Sequence, residues 1–188
     1  MKHYYIFGLQ RSGTNYIEQL IKENFIGLEM ANVRGHAWKH SIDVPDDMIK
    51  NVVPIIVYKN KYTWIESIVF RTPIDFFKKQ TLYLPSSDNI EAIAKTYKHW
   101  CQTWLKEYSD ECIIIKYEDL LNDNKRECFL ETIRTIYQVE RKHTYWANIE
   151  PGQVSISRKY TKDMQEYYLK EKPALLTQEQ IDTINAII

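Results

Sequence analysis

From Phe7 to Ile17 the chain reads FGLQRSGTNYI, and the residue types in this stretch are those that hold an anion. Gly8 and Gly13 are separated by four residues with Thr14 next, which fits the spacing G-x-x-x-x-G-[KST]. Thr14 stands where a nucleoside-triphosphate loop has its lysine, and Asn15 stands where it has its hydroxyl. Such a loop uses the lysine on the β- and γ-phosphates and the hydroxyl on magnesium. Neither is present here. What remains is a backbone nest opening a helix, with the helix N-terminus, the Ser12 and Thr14 hydroxyls and the fixed charge of Arg11 all able to face one anion. The pattern fits a phosphate held without a metal. An ordinary strand-to-helix turn with a surface arginine is the alternative, and the position of the loop directly after the first strand favours the anion site.

The elements that must position this loop follow from periodicity. Residues 4–9 are rich in aromatic and β-branched types and end at a glycine-containing turn, as a buried strand does, and from Asn15 to Phe25 the apolar residues recur at helical spacing. Residues 27–33, 52–58 and 111–117 read as further strands, and 61–71 and 88–108 as helices. Asp88 or Asn89 is the expected cap of the second of these, and Thr177 of a short closing helix. The chain between about 138 and 165 reads as polar and irregular. Apolar strands alternating with amphipathic helices predict an α/β fold of three layers, α/β/α, with a central, mostly parallel sheet and a P-loop-like strand–loop–helix at the N-terminus. Sheets of this kind bind ligands at the carboxyl ends of their strands, so the loops after residues 9, 33, 58 and 117 share one edge.

A length of 188 residues with 44% hydrophobic content suits one domain, 1–188. Lys plus Arg and Asp plus Glu each number 25, so no global field draws the chain to nucleic acid or to an anionic membrane, and any anion site is local. Cys101, Cys112 and Cys128 form no C-x-x-C pair and leave one thiol unmatched, which suits packing in a reducing compartment. No run approaches the roughly 18 apolar residues of a membrane span, and the N-terminus has no signal-like region. The expectation is a soluble, cytoplasmic protein.

RSGTNYIEQLI after an apolar strand resembles the 5′-phosphosulfate loop of the sulfotransferase family, where [KR]-S-G-T heads the first helix and holds the donor 3′-phosphoadenosine 5′-phosphosulfate (PAPS). The resemblance implies that Arg11, Ser12, Gly13, Thr14 and Asn15 hold the 5′-phosphosulfate. Lys59 and Ser67, in VYKNKYTWIES, keep the spacing of the family's arginine and serine that grip the 3′-phosphate, with lysine in place of the arginine. IIIKYEDLL is similar to the family's strand-to-helix element ending Y-E-D-L; here a structural role for Glu118 and Asp119, capping the next helix and fixing nearby loops, is expected over metal binding. SRKYTKDMQEYY is similar to the late basic pair that covers the 3′-phosphate, which places Arg158 and Lys159 there, a solvated basic turn being the other reading.

Sulfonate transfer to a hydroxyl or amine requires an in-line arrangement, a base for the acceptor proton and cations on the leaving oxygen, and metal is not obligatory. The stretch RGHAWKHSIDVP supplies these types: His36 and His40 as bases, with Lys39 to offset charge. The Lys39–His40 pair fits the family arrangement best, with His36 and Glu29 as other candidates for the base. The implied reaction partner is a small-molecule, glycan or peptide acceptor. Two rival readings stay open: a nucleotide kinase or hydrolase with an altered phosphate loop, and a non-catalytic nucleotide-binding module. Trp100 and Trp104, four apart on one helix, are expected in the core.

Overall fold

The computed structural model describes residues 1–31, 39–40, 52–70, 89–149, 162–170, 173 and 175–188. The expectations placed on His36, Arg158 and Lys159 fall outside them.

The described chain is mixed α/β with small parallel sheets. The first expected strand is split: β1 (Lys2–Tyr4) and β2 (Ile6–Phe7) flank Tyr5. β1 pairs in parallel with β4 (Leu28–Met30), while β2 pairs in parallel with β5 (Ile55–Tyr58), which pairs in turn with β6 (Ile113–Lys116). The carbonyl of Tyr4 accepts from Ala31 N and that of Tyr5 from Ile55 N, so successive carbonyls serve the two flanking segments. Between β2 and β4 lie α1 (Thr14–Asn24) and β3 (Phe25–Ile26). β3 pairs antiparallel with β7 (Glu140–Arg141). That pair was not anticipated, because two residues carry no readable period.

Strand residues alternate between two hydrophobic clusters, as the period of two requires. Ile6, Ile55, Val57 and Ile113 join one cluster with Ile17, Leu20 and Ile21 of α1 and with Phe129, Leu130 and Ile133. Phe7 and Ile56 join the other with Trp64, Ile65, Ile68, Trp100 and Trp104. The two tryptophans are fully buried, as expected.

Several helices begin where a short polar side chain accepts from the first free amides. Asn60 caps α2 (Lys61–Val69) by accepting from Tyr62 N at 2.9 Å, and Asn89 caps α3 (Ile90–Gln102) through Ala92 N at 2.9 Å. α3 does not run on regularly: Thr103–Glu107 winds into one wider π-helical turn. After β6 come two helices, α4 (Tyr117–Leu120) and α5 (Asp123–Tyr137), with Asn122 capping the second through Lys125 N at 3.2 Å. α6 (Lys162–Lys170) lies where irregular chain was expected at its start, and α7 (Gln178–Ile187) opens on a Thr177–Gln180 capping box.

The three cysteines are free. Cys101 and Cys112 pack against the second cluster, and burial pushes their thiols up to about 11 and about 12. Cys128, expected to pack, is exposed on α5 instead. No helix among the described residues is long and apolar enough to cross a membrane.

Candidate anion-binding site

The loop from Gly8 to Gly13 is held tightly from below. Ser12 N donates to Leu9 O at 3.0 Å, and Trp64, fully buried on α2, donates its indole N–H to Gln10 O at 2.8 Å. Arg11 takes a left-handed backbone, φ 68°, and Gly13 takes φ 103°, the conformation a glycine adopts without strain. A Cβ on Gly8 would sit 2.4 Å from Ser12 Oγ and 2.5 Å from the Val57 carbonyl, and one on Gly13 would sit 2.3 Å from the Tyr117 ring. Both glycines are therefore required by the packing of the protein itself.

Above the loop the polar groups are under-used. α1 begins at Gly13 with no side chain capping it, so its first N–H groups keep their partial positive charge for an outside acceptor. Ser12 is 1% exposed, and its Oγ makes no hydrogen bond among the described residues. A buried hydroxyl left in this condition is costly, and an acceptor oxygen brought within its reach would offset that cost.

Lys39 and His40 come to this loop from outside it. Gly8 N donates to Lys39 O at 3.0 Å, and His40 Nδ1 lies 2.6 Å from Gly8 O. A carbonyl only accepts, so Nδ1 carries the proton and Nε2 is the acceptor nitrogen. Burial, with the Lys39 charge adding to it and the Gly8 carbonyl opposing, pulls the imidazole down to about 4, so it is neutral at pH 7. Lys39 Nζ donates to Asn15 Oδ1 at 2.5 Å and lies 3.8 Å from Glu18 Oε2. The sequence candidates Lys39, His40, Ser12, Gly13, Thr14 and Asn15 thus converge on one loop. Glu29 lies on β4, paired opposite His3.

Lys59 and Ser67 are placed differently. Lys59 is 5% exposed, its ammonium 4.5 Å from the centroid of Tyr117 and 4.3 Å from that of Tyr168. Burial lowers its pKa, and Arg11 adds to the lowering while Tyr168 and Glu118 oppose it. Ser67 is also buried and donates from Oγ to Trp64 O at 2.7 Å, within its own helix.

Comparison with protein-family models, with curated proteins and with solved structures gives no match.

Glu118 ties two of the loops at this edge together: its Oε1 accepts from Asn60 N at 3.1 Å and from Thr63 Oγ1 at 2.9 Å. It fixes the β5–α2 turn, and Asp119 pairs with Lys125 at 2.5 Å. Neither acid caps α5, because the chain makes a further turn before Asn122 reaches the free amides. The residues that sequence reasoning missed are Tyr117, Tyr168 and Glu66. Tyr117 stands in the Y-E-D-L element, where the acids are the more conspicuous residues; Tyr168 and Glu66 carry no local signal, since their partners are remote in sequence. A groove of about 510 Å³ beside β6, lined by Ile113, Ile115, Lys125, Phe129 and Ile136, shares none of the loop's residues.

Proposed function

We propose that the protein is a PAPS-dependent sulfotransferase, acting on a hydroxyl or amine of a small-molecule, glycan or peptide acceptor. The observation that carries this reading is the convergence of His40, Lys39 and Asn15 on a loop whose helix is uncapped and whose buried Ser12 hydroxyl lacks a hydrogen bond among the described residues. The same reading includes a three-layer, P-loop-like arrangement, supported by strand residues that alternate between two clusters.

PAPS, when bound, supplies an activated sulfonate on a phosphate leaving group. Arg11, Ser12, Gly13, Thr14 and Asn15 orient its 5′-phosphosulfate through the helix N-terminus and their side chains. Lys59 and Ser67 meet the 3′-phosphate, joined in the sequence reading by Arg158 and Lys159. His40 Nε2 takes the proton of the attacking acceptor as the acceptor's oxygen or nitrogen bonds to sulfur and the bond from sulfur to the phosphate oxygen breaks. Lys39, steered by Asn15, sets positive charge near that leaving oxygen. The low pKa makes His40 a weak base in the free protein, and an anionic donor beside it raises that pKa toward the useful range.

Two measurements test this. Isothermal titration with 3′-phosphoadenosine 5′-phosphate (PAP) beside AMP is expected to show PAP binding more tightly, and equal weak binding of both removes the case for Lys59 and Ser67. The variant His40→Asn keeps a side-chain donor for the Gly8 carbonyl and loses the base. Its transfer of labelled sulfonate to a panel of phenols, amines and glycans is expected to fall at least about a hundredfold with PAP affinity intact. Unchanged transfer removes His40 from the mechanism.

A further inference from the structure

Lys59 has neighbours that the proposed reaction leaves unassigned. Its ammonium lies against both the Tyr117 and Tyr168 rings, which meet each other edge to face at 5.5 Å, and the Tyr168 side chain also hydrogen-bonds it. Tyr117 is immobilised: it abuts Gly13 on one side and packs edge-on against Tyr16 at 6.1 Å on the other. Tyr168 belongs instead to α6, which reaches the site from far along the chain and is fastened by a different residue. The hydroxyl of Tyr167 donates to Glu66, and the amides of Leu175 and Leu176 donate to the same carboxylate at 2.6 and 3.2 Å. Of the two rings on Lys59, Tyr168 is the one whose removal does not dismantle the loop.

We infer that Tyr168 gates the nucleotide site: its ring occupies Lys59 in the absence of ligand and yields to a phosphate dianion at the 3′ position. The inference rests on the proposed role of Lys59. A ring face and a neutral phenol attract a desolvated ammonium, but a phosphate dianion meets it with full opposite charge as well as a hydrogen bond, which is the stronger interaction. A nucleotide without the 3′-phosphate has nothing to offer Lys59 and leaves the ring in place. The exchange therefore taxes every 3′-phosphorylated ligand by the strength of the Tyr168 contact and leaves AMP untaxed.

The test is isothermal titration of PAP and AMP into wild type, Tyr168→Leu and Tyr167→Phe. Leucine fills much of the space without a π face, and the Tyr167 change loosens the fastening of α6 without opening a cavity. Tyr168→Leu is expected to bind PAP about three- to thirtyfold more tightly, the range that a cation–π contact of this kind supplies, with AMP unchanged. Tyr167→Phe shifts PAP in the same direction by less, and carries the test alone if Tyr168→Leu does not fold. Wild type that prefers PAP, together with variants that bind PAP no more tightly, overturns the gate and leaves the Lys59 reading standing. Wild type that binds PAP and AMP equally overturns both.

Discussion

The two halves of the candidate site carry similar side chains in opposite conditions. At the Gly8–Asn15 loop the polar groups are short of partners: an uncapped helix start and a buried hydroxyl without a hydrogen bond among the described residues, with a lysine reaching an asparagine beside them. Around Lys59 the cation is sealed under aromatic rings and the nearby serine bonds its own helix. The contrast shows that spacing locates a charge and packing decides its access. A nest made of backbone cannot turn inward once its helix is formed, whereas a flexible lysine stem goes wherever its neighbours leave room.

The largest way to break the contrast is at the loop's hinge. Gly13→Ala places a methyl 2.3 Å from the Tyr117 ring at a left-handed φ, so it strains the backbone and pushes on the ring that covers Lys59. A loss of about 2–4 kcal/mol is expected in urea unfolding, and an unchanged midpoint would show that the two halves are not mechanically joined through Tyr117.

Acid separates the halves next. The His40 imidazole titrates near 4 in the fold and near 6.5 in the unfolded chain, so between those values the unfolded state binds the extra proton. The stability contributed by the neutral ring is complete above about pH 6.5 and is lost as the pH falls toward 4. The expected loss is on the order of 2 kcal/mol across that window, and His40→Asn should flatten this part of the stability–pH curve. A histidine proton-exchange titration by NMR with a midpoint for His40 at its ordinary value would refute the assignment.

The smallest effect is the most discriminating. Lys59→Met replaces a buried cation with an apolar chain of similar length, so stability is expected to stay within about 1 kcal/mol of wild type or to rise. PAP affinity should nevertheless fall to the level of AMP. A large loss of stability would make Lys59 a structural residue first.

Much of this arrangement could be read from residue order, and the reasons are local. α1, the strand IIVY, the Asn89 cap and the Thr177 capping box rest on periodicity and on side chains that bond amides two or three residues away. The loop itself was legible for the same reason, since glycine spacing and the following helix are neighbours in sequence. What escaped reading depends on partners far along the chain. β1 begins at exposed Lys2 and His3, which no apolar pattern marks, and it is set by pairing with β4. The β3–β7 ladder joins residues more than a hundred positions apart, and the sandwich on Lys59 joins residues 59, 117 and 168.

Glu66 has a consequence for the order in which this chain can assemble. The carboxylate is shut away from water on α2, and three of its hydrogen bonds arrive from residues 167–176, about a hundred positions later. During synthesis α2 therefore emerges with a carboxyl group whose partners follow only about a hundred residues later. Burial of α2 therefore waits on residues 167–176, and a nascent chain arrested before residue 167 keeps α2 wet, leaving the loop it braces through Trp64 without its support.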